Sequence, residues 1–338
     1  MKYKIIQAGL GAHGYGIAQN VIMPSTDFSL VGLVDIDPDR LKQGAAEFQL
    51  PETSCYSSYE KAFQECEADA VFVAVISPLH YDICKCAMEH SLHVLVEKPF
   101  TVTLEEAKEI VSIADQRHLK IMVNQNYRYL PNVMALKNAI DQEIVGKPQF
   151  AVGEFYYMHD GKPYQREMDR YMLMEMAVHH IDMIRYMFDS NVDNLMGKTW
   201  NVRDSGYAGE PNAHAMLELE NGLPVFYTGS LLAKGMGSPS WEGCWRVQCK
   251  QGSLHLADMG QGYGVYAVDE QEQIKQLGIS KQWMESVDAV LAEFASSIRE
   301  DRQPLMSGAD NLHTMATLLA MDLSSKQKQS VKLSALFV

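Results

Sequence analysis

The sequence predicts an α/β protein: an amino-terminal domain built on a doubly wound parallel sheet, then a second domain of helices and mainly antiparallel strands. Three observations carry this. Short apolar runs before residue 124 lack inside–outside alternation, amphipathic stretches separate them, and after about residue 190 the chain turns to strands divided by polar turns. At 338 residues the chain is long for one core and comfortable for two. The change of rhythm places the boundary after Asn124, giving domains 1–124 and 125–338.

In the first domain Lys4–Ala8, Leu30–Asp35, Ala70–Ile76, His93–Val96 and Lys120–Asn124 read as strands buried on both faces. Pro38–Phe48, Tyr59–Cys66, His80–His90 and Leu104–Arg117 read as helices. Asp37 ahead of Pro38 is a start signal, and Thr103 with Glu106 makes a capping box. Beyond Asn124, a helix near Pro131–Gln142 stops at Gly146-Lys147-Pro148. Gln149–Met158 is a strand, and Tyr171–Phe188 is strongly helical. From Asn191 to about Val268, turns at Glu220-Asn221-Gly222, Lys234–Pro239 and Gln251-Gly252 divide antiparallel strands. Helices Gln282–Arg299 and Ala309–Ser325 and a short strand Val331–Leu333 close the chain.

Composition removes several classes of function. The net charge of -14, from 43 acidic and 29 basic side chains, repels polyanions, and no Lys/Arg run offsets it, so nucleic acid is not an expected partner. No apolar run approaches a membrane span. Glycines interrupt MKYKIIQAGLGAHG too early for a signal peptide, and no A-x-A-like cleavage site follows. The six cysteines show no CxxC spacing, which points to reduced, mostly buried thiols and a cytoplasmic location.

Gly9-Leu10-Gly11-Ala12-His13-Gly14 places G-x-G-x-x-G between a strand and a helix, and Asp35 follows 21 residues later at the end of the second strand. In that context Gly9 permits the tight turn, Gly11 lets the backbone approach a pyrophosphate, and Gly14 lets helix and strand pack closely. The helix N-terminus offers N–H groups to phosphate, and a carboxylate at Asp35 accepts hydrogen bonds from a ribose. Like-charge repulsion of a 2′-phosphate by Asp35 favours NAD over NADP, while Arg40 keeps NADP open. The expected contacts at this end are Gly9, Gly11, Ala12, His13, Gly14, Asp35, Ile36 and Arg40.

His93-Val94-Leu95-Val96-Glu97-Lys98-Pro99 ends a strand with a charged pair. A lysine there lies at the crevice where open α/β sheets bind ligands, although an arbitrary Glu-Lys pair is a solvated strand end. Further on, residues 175, 179 and 182–183 share one helical face, so that Glu175 can orient His179 and raise its basicity, although an isolated His of this kind is ordinarily part of a surface ion pair or a capped core residue. A metal held by His179, His180 and Asp182 is disfavoured, because adjacent histidines point about 100° apart on a helix, and none is expected.

Together G-x-G-x-x-G, Asp35, Ser77-Pro78, Glu97-Lys98-Pro99, Asn126-Tyr127-Arg128-Tyr129-x-Pro131, His179-His180-x-Asp182 and the closing Ser307-Gly308-Ala309-Asp310-Asn311-Leu312 follow the order and spacing of one family. The sequence resembles the glucose–fructose oxidoreductase / inositol dehydrogenase (Gfo/Idh/MocA) family nearly end to end. The resemblance implies an N-terminal Rossmann domain followed by a C-terminal α/β domain whose open, mainly antiparallel sheet supports a homodimer or homotetramer, and it implies that Lys98 contacts nicotinamide and substrate. It places the family's acid-x-x-x-His pair on Glu175 and His179, where many relatives have Asp and Gly in place of Glu175 and Ala177. A His common in relatives falls on Asp82, with His80 as the candidate for the same surface. It extends the cofactor contacts to Ser77, Pro78, His80, Glu97, Lys98 and Asn126.

The expected activity is hydride transfer from a CH–OH group of a sugar, polyol, inositol or glycoside to NAD. Lys98 would stabilise the developing alkoxide, His179 accept the proton and Glu175 hold its tautomer, with Lys98 itself the alternative base. Lys98, Asn126, Arg128, Tyr156 and His179 are the substrate-binding candidates, and Tyr129, Tyr157 and Tyr164 could also stack on a sugar face. An NAD-retaining enzyme that breaks glycosidic or C–O bonds through transient oxidation, and a non-catalytic nucleotide- or sugar-sensing regulator, are the other readings.

Overall fold

The structure, a computed structural model, describes residues 2–235, 237–280, 284 and 286–337. It forms two compact units, Met1–Asn126 with Met284–Leu312, and Tyr127–Trp283 with His313–Val338.

Among the described residues, the first unit holds a six-stranded sheet of β1 (Tyr3–Ala8), β2 (Phe28–Val34), β3 (Cys55–Tyr56), β4 (Ala70–Val73), β5 (His93–Val96) and β6 (Ile121–Val123). Their order is β3-β2-β1-β4-β5-β6, with every pairing parallel. Helices α1 (Ala12–Ile17), α2 (Pro38–Glu47), α3 (Tyr59–Glu65), α4 (His80–Glu89) and α5 (Leu104–Arg117) connect them. Ile5, Ile6, Val71, Phe72, Val94 and Leu95 are fully buried, which is why these strands carry no polar alternation. The caps are those the sequence signals: Asp37 accepts from Asp39 N and Arg40 N, and Thr103 and Glu106 make the capping box of α5. Strand β3 has two residues, too few to show a period. Strand β4 stops three residues before Ile76, where the chain leaves the sheet and Ile76 is half exposed.

This unit is completed from far down the chain. Helix α9 is described as Ser286–Arg299; its expected start at Gln282 lies outside the described residues. Phe294 of α9 stacks on Phe28 with ring centroids 5.9 Å apart. Asp301 pairs with Lys120 at 2.7 Å, and Val123 N donates to Met306 O at 2.9 Å.

The second unit carries helices α6 (Pro131–Asp141), α7 (Pro163–Arg166) and α8 (Val178–Phe188), and most of α10 (Gly308–Gln327), within which the division between units falls. Its sheet comprises β7 (Pro148–Tyr156), β8 (Val192–Trp200), β9 (Asn212–Leu219), β10 (Pro224–Ser230), β11 (Cys244–Cys249), β12 (Gly252–Asp258), β13 (Tyr263–Asp269), β14 (Ile274–Gln276) and β15 (Val331–Lys332). The order is β14-β13-β12-β11-β7-β10-β9-β8-β15, antiparallel except for the parallel pair β10–β7. Along β9, Ala213, Ala215 and Leu217 are buried while His214, Met216 and Glu218 are exposed, so one face is covered and the other open. On the covered side α6 packs on α8, β12 and β13, and Ser324 and Ser325 of α10 accept from Gly197 N and Thr199 N of β8, each at 2.9 Å.

The stretch Tyr171–Phe188 is helical throughout, as expected, with a π-helical turn at Leu173–Ala177 that runs into α8. No described helix is long and apolar enough to cross a membrane. The six cysteines are free; Cys84 and Cys249 are buried and the other four half-buried.

Candidate active site

The glycine turn after β1 has the geometry that a dinucleotide needs. Gly9 sits at φ +94°, and a Cβ there would lie 2.3 Å from the Ala74 carbonyl oxygen. A Cβ on Gly14 would lie 2.2 Å from Gly9 O, so both glycines are required by packing. Gly11 differs: a Cβ there would meet nothing within 4 Å, which leaves its backbone open to a phosphate at the head of α1. Asp35 is nearly buried and accepts from Leu10 N at 2.6 Å and Asp37 N at 2.9 Å. Each carboxylate oxygen keeps a second acceptor site for a ribose hydroxyl. Arg40 leans toward it, 3.8 Å from Asp35 and 3.3 Å from Asp37, and Ile36 beside it is 90% exposed, offering an apolar surface to a base. An open Gly11, a carboxylate at the β2 end and an exposed Ile36 fit NAD.

Strand β5 delivers Glu97 and Lys98 to the same turn. The Glu97 carboxylate is buried and accepts from Asn124 Nδ2 at 2.6 Å, and His13 Nε2 stands 3.0 Å from the same oxygen. Burial alone would raise its pKa. The His13 hydrogen bond and charge, with Asn124 and Lys98, outweigh burial and hold Glu97 below the usual carboxylate value. Glu97 is therefore an anion that ties the end of β5 to the phosphate turn. Lys98, next in the chain, is half-buried. Asn124 had no expected role; its position one residue past β6 was the available signal.

In the second unit His179 is 5% exposed, and its ring stacks on Tyr127 with centroids 3.9 Å apart and planes 10° from parallel. That fixes the plane of the imidazole. Glu175 lies half-buried in the π-helical turn just before α8 and accepts from Gln165 Nε2 of α7 at 3.0 Å. Burial raises the pKa of Tyr127, Tyr164 and Tyr171, and the Glu175 charge adds to it in each, so neutral phenols surround this carboxylate. Tyr127 stood in the expected Asn-Tyr-Arg-Tyr motif without a role. Its stacking on a residue 52 positions away had no sequence signal.

Several expected site residues are occupied elsewhere. Arg128, expected at the substrate, is buried and holds Asp182 through two contacts, Nε at 2.6 Å and a terminal nitrogen at 2.7 Å. Asp182 also accepts from Thr314 at 3.2 Å, so this pair fastens α8 within its unit. His180 is fully buried between the Tyr227 hydroxyl at 2.8 Å and the Trp241 carbonyl at 2.9 Å. Among the described residues no group of three His, Cys, Asp or Glu could hold a metal ion. His80, expected to touch the cofactor, is fully buried. Its nitrogens contact the carbonyls of Pro99 at 2.9 Å and Val75 at 3.2 Å, so it joins two loops instead. Tyr156, expected at the substrate, alternates along β7 with buried Phe155, whose ring faces His180; the period of two sends Tyr156 to the opposite face, beside Glu154. Asn126 is half-buried and donates to Ser286 Oγ at 3.0 Å. Ser77 and Pro78 form a 3₁₀ turn at the carboxyl end of β4, with Pro78 exposed.

Comparisons with known proteins bear on the fold and the cofactor. Residues 3–125 match the model of an oxidoreductase family with an NAD-binding Rossmann fold, and residues 133–255 match the Gfo/Idh/MocA C-terminal domain. The D-apiose dehydrogenase of Rhizobium rhizogenes is 25% identical over 91% of this chain and 91% of its own length. The inositol 2-dehydrogenase/D-chiro-inositol 3-dehydrogenase of Lacticaseibacillus casei is 23% identical over 98% of this chain and 94% of its own. An oxidoreductase from Agrobacterium radiobacter, solved in complex with NAD+, L-tartaric acid and magnesium, superposes with a TM-score of 0.90 at 23% identity, covering 99% of this chain and 100% of that one. At that identity the likeness speaks for the fold.

Proposed function

The chain belongs to the Gfo/Idh/MocA oxidoreductase family, whose amino-terminal domain is an NAD-binding Rossmann fold, and from that premise we propose that it is a dehydrogenase oxidising a CH–OH group of a sugar, cyclitol or related polyol. NAD, when bound, supplies the hydride acceptor. One contact carries the reading. The 3.0 Å link between His13 and Glu97 ties the end of β5 to the glycine turn, which supports a role for the next residue, Lys98, beside a bound dinucleotide. An alcohol releases hydride only as its O–H proton leaves, and an ammonium at Lys98 would stabilise the oxygen's growing negative charge. His179 is proposed as the proton acceptor. Its ring is clamped by Tyr127, so little reorientation accompanies the transfer. Glu175 is proposed to favour the protonated imidazole by its charge.

A panel of cyclitols, aldoses, ketoses and glycosides incubated with NAD, followed for NADH absorbance and for cleavage products, tests the reading. NADH formation with one of them is the expected result. Bond cleavage without net NADH would replace it by redox-assisted lysis. Replacing Lys98 by Ala should lower turnover at least about a hundredfold, the scale of losing one transition-state stabilising group, while NAD affinity changes little. An unchanged rate removes Lys98 from the chemistry.

A further inference from the structure

We propose that Trp241 and Tyr157 form a stacking platform that selects ring-form sugars and cyclitols over open-chain polyols. The proposal rests on the dehydrogenase reading above and names the substrate class of that site. Trp241 is 40% exposed, yet its loop is held at every step. The carbonyls of three successive residues each accept a hydrogen bond: Trp241 from His180 at 2.9 Å, Glu242 from the Trp245 indole at 2.6 Å, and Gly243 from the Tyr263 hydroxyl at 2.6 Å. The buried Glu242 carboxylate accepts from Asn132 at 3.2 Å and from the Ser240 hydroxyl. Such anchoring leaves little conformational freedom to lose when a ligand arrives, the property that makes an aromatic side chain an efficient contact.

The orientation is also set. The indole leans on Tyr157 with centroids 4.4 Å apart, on Phe155 at 6.1 Å, and meets the edge of His159 at 6.1 Å. The residue that holds its carbonyl, His180, is the chain neighbour of His179. The exposed aromatic surface is thereby tied to the segment that carries the proposed proton acceptor. Tyr157, on which the indole leans, also lines a cleft of about 380 Å³ with Met158, Lys234 and Ser238 among others. That volume suits a small molecule, and the Lys234 ammonium supplies donors for hydroxyl groups. A cyclic sugar presents a persistent face of C–H groups, weakly positive, which matches the negative face of an aromatic ring. An open-chain polyol has no such face and must freeze several rotors to make one.

The test titrates NAD-loaded wild type, Trp241→Leu, Trp241→Phe and Trp241→Tyr by calorimetry with myo-inositol and methyl β-D-glucopyranoside as ring probes and sorbitol as the open-chain probe. KM and kcat are measured wherever turnover occurs. The Leu variant should weaken ring binding about tenfold while sorbitol affinity and kcat stay within about twofold, and the Phe and Tyr variants should restore most of the loss. Equal losses for ring and open-chain probes, no loss at all, or no binding of either ring probe to the wild type overturns the proposal. Ring binding that depends on Trp241, with no member of the wider panel yielding NADH, would instead sink the dehydrogenase reading and leave the platform standing.

Discussion

His180 shows how much a single buried side chain can contribute. Its Nε2 faces the Trp241 carbonyl, which can only accept, so that nitrogen carries the proton, and Nδ1 accepts from the Tyr227 hydroxyl at 2.8 Å. The neutral ring is fully satisfied. Burial lowers its pKa from 6.5 to about 4, with the Trp241 contact opposing. As pH falls below 6.5 the unfolded chain takes up a proton at this position that the folded chain refuses, so stability decreases until about pH 4. In urea titrations the stability gap between wild type and His180→Gln should narrow by about 2 kcal/mol between pH 7 and pH 5. Parallel curves would show that the ring titrates normally. Arg128 has a related lesson. Its motif looked like a ligand contact, but its carboxylate partner lies 54 residues away, and a long-range pairing of this kind has no local signature.

The turn between β1 and α1 divides its glycines by purpose. Gly9→Ala forces a left-handed φ on an L side chain and drives Cβ into the Ala74 carbonyl, so it should lower stability by roughly 3 kcal/mol or more. Gly11→Ala, at φ -58° with no neighbour for its Cβ, should leave the melting temperature of the NAD-free protein unchanged and weaken NAD binding by more than about tenfold. Thermal melts and NAD titration of the two variants separate the roles. Equal NAD affinity in Gly11→Ala would remove the pyrophosphate from that place. At this scale the sequence was most readable. The buried parallel strands, the caps of α2 and α5 and the glycine turn are local patterns, and each is present. The two-residue strand β3 was too short to show a period, and the π-helical turn before α8 was not legible because nearly every residue from 171 to 188 is buried, so no polar face marks its shift of phase. Glu97, Asn124 and His13 lie near the ends of three different elements, and only tertiary structure gathers them. Trp241 was missed because it lies two residues past the Lys234–Pro239 turn, and its contact with Tyr157, 84 positions away, has no local signature.

The two units are not two consecutive halves. The first takes its closing surface from Met284–Leu312, through Phe294 on Phe28, Asp301 on Lys120 and the Met306 carbonyl on Val123. A fragment of residues 1–126 should therefore bind a hydrophobic dye and unfold without cooperativity, and joining residues 284–312 to it through a flexible linker should restore a cooperative melt and NAD binding. A fragment that melts sharply by itself would show the closing segment to be dispensable. The same interruption sets an order on biosynthesis. Between the emergence of Asn126 and that of Met284 from a ribosome lie on the order of 10–30 s of elongation. Throughout that interval the nascent nucleotide-binding half waits with a greasy flank uncovered while the other sheet is being made. A chaperone has its opening there, and a chain stalled before Met284 is released with neither half finished.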